Sequence, residues 1–281
     1  MFDDLTLKTI KARVSNGVAF VTLNRPHRMN AWTGRMHTEY RLVMKRLDDA
    51  AEVRAIIVTG EGRGFCVGGD SQALEGHVEK GGYDPGTPEP LAEPGYGVHD
   101  AFDASFAWHF GVGKLVIAAM NGPAAGVGLA LACFADIRFA VPGVKFTTAH
   151  GKLNLPAEYG LSWLLPRMIP LAQANDLLLT SRVFTSDEAL SLGLVNRLVE
   201  PAALMEAAEA YARNVIATVS PGSLSTTKRQ IYTDLHRDAA SAVRESEALI
   251  DEMSTHPDFA EGVRAFTEKR APEWGQTRGE E

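Results

Sequence analysis

From Leu115 to Ala135 the chain carries no charged side chain, an apolar length that must be either a membrane span or the interior of a folded domain. Its punctuation selects the second. Asn121-Gly122-Pro123 interrupts the stretch after the run LVIAAM, and glycines crowd its second half, so it reads as strand, turn and buried helix. A strand without polar alternation needs cover on both faces, which points to an α/β domain with a largely parallel sheet.

The rest of the chain can supply that cover. With 281 residues, 45% of them hydrophobic, it is long enough for one full core, with length left for oligomer contacts. A net charge of −7 and a pI near 5.7 argue against a nucleic-acid groove or an anionic membrane surface and favour small-molecule chemistry. Cys66 and Cys133 have neither zinc nor CxxC spacing. They read as small buried hydrophobes in a reducing, cytoplasmic setting, with no metal site expected. The start, MFDDLTLKTIKARV, has acidic residues where an export signal has basic ones, so no export is expected.

Residues 5–13 and 18–24 alternate around Asn16-Gly17, predicting a hairpin with a tight turn. Met36, Tyr40, Val43 and Leu47 fall at helical spacing after Thr33, and AIIV at 55–58 is a buried strand. The alternation continues with a helix near 98–111, a strand over 115–120, a helix from 126 and a strand over 136–140. Beyond residue 160 the chain reads as mainly helical. Residues 75–98 are rich in Gly and Pro and read as a lid or a disordered loop. Phe259, Val263 and Phe266 form an apolar stripe that packs on the sheet or on a neighbouring subunit, and the tail after Trp274 frays.

Two glycine turns carry the chemistry. GEGRGFCVGGD at 60–70 follows a strand directly, and Gly68-Gly69 lets backbone amides approach a ligand oxygen. MNGPAAGVGLALACFAD at 120–136 places free helix-start amides at Gly126–Val127, suited to an oxygen that becomes negative during reaction. Alone, each is equally an ordinary turn or a close packing of helix on sheet. Competing motifs fail: Leu131 occupies the third position of a dinucleotide fingerprint, and no Gly-Lys-Ser/Thr loop, G-x-S-x-G elbow or H-E-x-x-H helix occurs.

Taken in order, VTLNRPHRMNAW at 21–32, FCVGGD, NGPAAGVGLALACFADIRFA, the Phe146 to Arg167 segment ending in LPR, LTSRVFTSDEALSLGLVNRLV and the terminal AFTEKRAPEW resemble the enoyl-CoA hydratase/isomerase (crotonase) family. The resemblance covers nearly the whole chain. It implies a crotonase-like β-β-α spiral core over 1–199, a helical C-terminal region over 200–281 for packing and oligomerisation, and a homotrimer or homohexamer. It implies an acyl-CoA thioester substrate, coenzyme A entering only as part of it, with the enolate oxygen held by the amides of Gly69 and Val127. By the same resemblance Arg25, the backbone at Asn30–Ala31, Val67, Gly68 and Asp70 face the coenzyme A moiety, and Phe266 and Lys269 of a neighbouring subunit close over it. Plain alternatives remain: Arg25 as a strand-end charge, Phe266 as core, Lys269 as half of a surface ion pair.

The chain departs from the family pattern where hydratases carry two glutamates that position water. Ala130 stands at the first place and His150 at the second. Glu158, on the loop entering LSWLLPR, lies where isomerase-like members place an acid and is the first choice as general base, since burial in an acyl pocket raises a carboxyl pKa. His150 is a second acid–base group or orients Glu158, with a structural histidine equally open. Tyr159 reads as packing before substrate contact. His99 and His109, near Asp100 and Asp103, fall where an acyl-pocket helix is expected. The resulting expectation is isomerase or lyase chemistry on an acyl-CoA. Diketone carbon–carbon hydrolysis through His150, or a non-catalytic acyl-CoA-binding scaffold, remain as alternatives.

Overall fold

The computed structural model describes residues 2, 5–72, 75–76 and 98–275. Strands β1 (Ile10–Ser15) and β2 (Val18–Leu23) pair antiparallel, and Asn16 and Gly17, both at positive φ, make the tight turn that this pairing requires. The first strand starts later than its alternation suggests. The carboxylate of Glu39 accepts the amides of Lys8 and Thr9 at 3.0 and 2.7 Å, so a helix side chain satisfies those two amides in place of a strand partner.

Helix α1 (Gly34–Asp49) begins where Thr33 accepts the amide of Met36 at 3.2 Å, an N-cap that replaces a missing intrahelical partner. Its apolar stripe, Met36, Tyr40, Val43 and Leu47, is completely buried. Strands β3 (Ala55–Gly60), β4 (Leu115–Met120), β6 (Ile137–Ala140) and β9 (Arg197–Leu198) then extend the sheet in the order β1-β2-β3-β4-β6-β9, parallel from β2 onward. Every residue of β3 and β4 is buried, as expected of strands covered on both faces. A second sheet joins β5 (Ala124–Ala125), β7 (Lys145–Thr147) and β8 (Phe184–Thr185).

The uncharged stretch is thus β4, a turn, β5 and helix α2 (Val127–Cys133). Among the described residues no helix is long and apolar enough to cross a membrane. One core lies between the main sheet, α1 and α2, and includes both cysteines, which are free. Helices α3 (Leu161–Met168), α4 (Leu171–Thr180) and α5 (Ser186–Ser191) follow. Helix α6 (Leu204–Thr218) then covers the opposite sheet face, where Leu204, Ala208 and Ala212 meet Phe20, Ile57 and Ile117. The helical C-terminal region therefore begins as a layer of the core itself. Helices α7 (Pro221–Asp234), α8 (Ala239–Met253) and α9 (Pro257–Glu268) complete the chain.

The segment before β4 departs from expectation. Residues 98–111 are turns followed by a 3₁₀ segment at Ala107–Gly111 instead of a regular helix. Phe106 sits at φ +61° and the His109 ring is bonded to its carbonyl, a tertiary arrangement that overrides helical periodicity. The stripe on α9 faces outward: Phe259 and Val263 are about half exposed and Phe266 is 87% exposed. The inward side carries Asp258, Glu261 and Ala265, so the stripe does not pack on this chain's sheet. The Gly/Pro-rich loop read over 75–98 lies mostly outside the described residues.

Candidate active site

The first glycine turn is gripped from two sides. On one, the amide of Cys66 donates to the Pro123 carbonyl at 3.3 Å and that of Ala125 to the Cys66 carbonyl at 3.0 Å. On the other, the amide of Trp32 donates to Gly68 at 2.7 Å and that of Asp70 to Trp32 at 2.9 Å, a parallel bridge centred on Gly69. A residue flanked by such a pair of bonds presents its own N–H and C=O to the opposite side. The Gly69 amide therefore points away from Trp32. Gly68, at φ +104°, reverses the chain between the two pairings, a conformation that favours glycine.

The second turn is tied to the same place. Asn121 accepts the Gly60 amide at 3.0 Å and donates to the Gly62 carbonyl at 2.9 Å, while the Gly126 amide donates to Thr147 at 3.0 Å. Gly126 takes φ +48° as the cap of α2, and Val127 follows as the first helical residue. Its amide has no intrahelical acceptor. Among the described residues neither the Gly69 nor the Val127 amide is bonded to an acceptor. The turns are in contact: a Cβ on Gly128 would fall 2.0 Å from the Cys66 carbonyl, and one on Gly68 would fall 3.4 Å from that of Ala125.

Glu158 converges on this pair. Its Oε2 lies 3.1 Å from where a Cβ on Gly126 would be, with the Thr148 carbonyl and Ala149 near the same point. The carboxylate is half-buried, and burial pushes its pKa above the ordinary glutamate range, with a smaller opposing pull from His150. His150 is buried, and among the described residues its Nδ1 has no hydrogen-bond partner. The turn that carries it is fixed by Ser181, whose hydroxyl accepts the Gly151 amide at 3.0 Å, and by Thr148, which donates to the Leu177 carbonyl at 3.1 Å. Ala130 is wholly buried in α2, so no carboxylate enters the site from there.

An aromatic wall links Trp32, beside the first glycine turn, to Tyr159, next to Glu158. Trp32, beside Gly69, meets the Phe106 ring edge-on at 5.4 Å, and Phe106 meets Tyr159 edge-on at 5.0 Å. Local sequence gave no sign of the Phe106 contribution, since its ring reaches Trp32 and Tyr159 only through tertiary folding. His109 is not free to face a substrate: completely buried, it bonds Tyr40 and the Phe106 carbonyl. His99 is exposed and accepts the Ala101 amide at 3.1 Å.

The residues read as facing coenzyme A are arranged unevenly. Arg25 turns inward to the Asp70 carboxylate at 2.9 Å and the Ala31 carbonyl at 2.6 Å. Asn30 is wholly buried and bonds the Arg25 amide and the carbonyls of Glu61 and Gly64. Ala31 is buried beside it, and Val67 is half-buried just before the glycine pair. Phe266 and Lys269 lie exposed at the end of α9, away from the other residues of this set.

Residues 13–277 match the family model described as enoyl-CoA hydratase/isomerase. Among curated proteins, a 1,2-epoxyphenylacetyl-CoA isomerase of Escherichia coli K12 is 31% identical, covering 95% of this chain and 98% of its own. An (E)-benzylidenesuccinyl-CoA hydratase of Thauera aromatica is 32% identical over 94% and 97%. Among solved structures, an enoyl-CoA hydratase of Mycobacterium tuberculosis H37Rv superposes with a TM-score of 0.83 at 28% identity, covering 96% of this chain and 99% of that one.

Proposed function

The chain belongs to the enoyl-CoA hydratase/isomerase family, has the crotonase fold, and on that premise we propose that it is an acyl-CoA isomerase-type enzyme. The thioester carbonyl accepts the amides of Gly69 and Val127, and the carboxylate of Glu158 removes a proton from the acyl chain. The electron pair moves to the thioester oxygen, and the same carboxyl returns the proton to another carbon, shifting the double bond. Donors fixed where charge develops stabilise the enolate more than the ground state.

One observation carries this reading: a half-buried carboxylate with a raised pKa stands at the Gly126–Val127 turn, whereas Ala130 and His150 occupy the hydratase positions. A base whose pKa moves toward neutrality is well matched to shuttling protons between carbons. The aromatic wall of Trp32, Phe106 and Tyr159 and the aryl acyl groups named in two relatives support a phenyl-bearing acyl chain. The outward apolar stripe of α9 supports assembly with further copies of the chain as a trimer or hexamer.

The test is proton exchange in heavy water. With saturated and unsaturated acyl-CoAs, phenylacetyl-CoA among them, the protein exchanges α-protons, and Glu158→Gln slows exchange at least about 10²-fold while binding persists. Binding without exchange in the unaltered protein would leave only a scaffold. A second reading has its own support in the unpartnered Nδ1 of buried His150 beside Glu158, a histidine–acid pair suited to hydrolysing a diketone. Carboxylate release from a diketone, with no acyl-CoA exchange, selects it.

A further inference from the structure

We propose that Asp70, held by Arg25, is a positioning residue that acts with the Trp32 backbone bonds to hold the Gly69 amide in its direction. The proposal rests on the two-amide enolate reading above. Gly68 and Gly69 have no side chains, and Gly68 lies at φ +104°, so nothing in the pair resists rotation of the peptide that carries the donor. The constraint has to come from its neighbours. An oxyanion donor is effective only if it is already aimed when charge develops.

Two chain segments supply it, and they are joined twice. Segment 25–32 meets segment 68–72 through the Trp32 backbone bonds to Gly68 and Asp70. It meets it again through side chains: Arg25 lies 2.9 Å from Asp70 and donates to the Ala31 carbonyl at 2.6 Å, and Arg28 approaches Asp70 at 3.4 Å. Asp70 also accepts the Gln72 amide at 3.0 Å. The carboxylate, with a side chain 3% exposed, is thus fixed on the residue next to the donor. Burial works against its charge, but the arginine and amide contacts together outweigh it and keep it ionised.

Charge follows the same geometry. A lone carboxylate one residue from the oxyanion donor would oppose an enolate. Two guanidiniums against one carboxylate leave a positive balance there. Arg25 therefore does two things: it restrains Asp70 and neutralises it.

The experiment reads the thioester carbonyl directly. Saturated acyl-CoAs carrying ¹³C at the thioester carbonyl, short-chain, medium-chain and phenylacetyl, are bound to the full-length protein, and the carbonyl stretch is followed by difference infrared spectroscopy beside α-proton exchange. Bound to the unaltered protein, the stretch moves to lower frequency. Asp70→Asn and Arg25→Met reverse most of that movement and slow exchange about 10²-fold with KM changed only a few-fold, while Arg25→Lys recovers part of both. If Asp70→Asn does not fold, Arg25→Met carries the test alone. A full carbonyl shift and full exchange in Arg25→Met or Asp70→Asn, with only thermal stability lowered, overturns the positioning role. No carbonyl shift in the unaltered protein overturns the two-amide reading itself.

Discussion

The hydroxyl of Tyr40 lies 2.8 Å from Nε2 of His109, while Nδ1 of the same ring lies 2.6 Å from the Phe106 carbonyl. A carbonyl can only accept, so Nδ1 carries the proton and Nε2 accepts from Tyr40. Burial pushes the imidazole pKa down to about 3 from an ordinary 6.5, with the bond to Phe106 a smaller upward pull. The folded state holds this ring neutral, and the unfolded chain binds its proton more readily. Stability is therefore complete above the unfolded pKa and is lost as pH falls from there toward about 3. At pH 5 the loss from His109 is about 2 kcal/mol. His37, pushed down to about 4 by burial and Arg41, adds to the same slope. Urea unfolding at pH 7 and pH 5 should show His109→Gln with a flatter pH dependence than the unaltered protein, whatever its absolute stability. An unchanged slope would mean that His109 binds its proton as readily in the fold as in the unfolded chain.

Glu158 has the opposite sign. Its folded pKa is raised by burial, so the folded state holds the proton more tightly than the unfolded chain, and stability declines as pH rises through the folded value. Glu158→Gln removes that penalty. The variant should gain stability at neutral pH relative to acid pH while losing about 10²- to 10⁴-fold in α-proton exchange. In the unaltered enzyme the acid limb of the rate profile, where the base becomes protonated, should lie above the range of an ordinary glutamate. A variant that loses stability at neutral pH would place Glu158 in a structural ion pair instead.

The role given to Val127 is carried by its amide alone, which allows an unusual test. Proline is tolerated at the first helical position, where the amide has no intrahelical partner, and Val127 occupies that position in α2. Val127→Pro should therefore remove the donor while keeping the helix. Exchange should fall about 10²- to 10³-fold, with Val127→Ala near the unaltered rate and both variants giving unaltered circular dichroism. Equal rates for the two variants would remove Val127 from the site.

Local pattern made part of this molecule readable before folding. The stripe of α1, its Thr33 cap, the buried strands and both glycine turns follow from spacing and residue type, because burial acts on neighbours in sequence. What spacing could not show is where those turns aim. The Gly69 amide owes its direction to Trp32, and Glu158 reaches Gly126 only through the fold. The helix expected over 98–111 failed for the same reason, since Phe106 and His109 obey contacts with Tyr40 and Trp32. Arg25 and Asp70 were both visible as charges near the site, but nothing in the sequence paired them with each other. The α9 stripe is apolar in the sequence and in the fold, yet a stripe does not name the surface that covers it.

The same long-range logic fixes the helical C-terminal region to the sheet. Lys228 on α7, 7% exposed in its side chain, donates to Asp136 at 2.8 Å and to the Lys114 carbonyl at 3.1 Å. Asp136 in turn accepts the Val116 amide at 2.8 Å and the Tyr232 hydroxyl at 3.1 Å, and Tyr232 stacks on Phe110 at 3.7 Å. Lys228→Met leaves a nearly buried carboxylate without its cation, a loss of about 3 kcal/mol or more. Because Phe110 belongs to the segment that also carries Phe106, the damage should reach the aromatic wall. The urea midpoint should fall, and limited proteolysis should cut first between α6 and α8. Pairing Lys228→Met with Asp136→Asn should recover part of the loss, because the neutral amide no longer needs the cation. No recovery in the double variant would show that Lys228 acts through packing of its stem and not through charge.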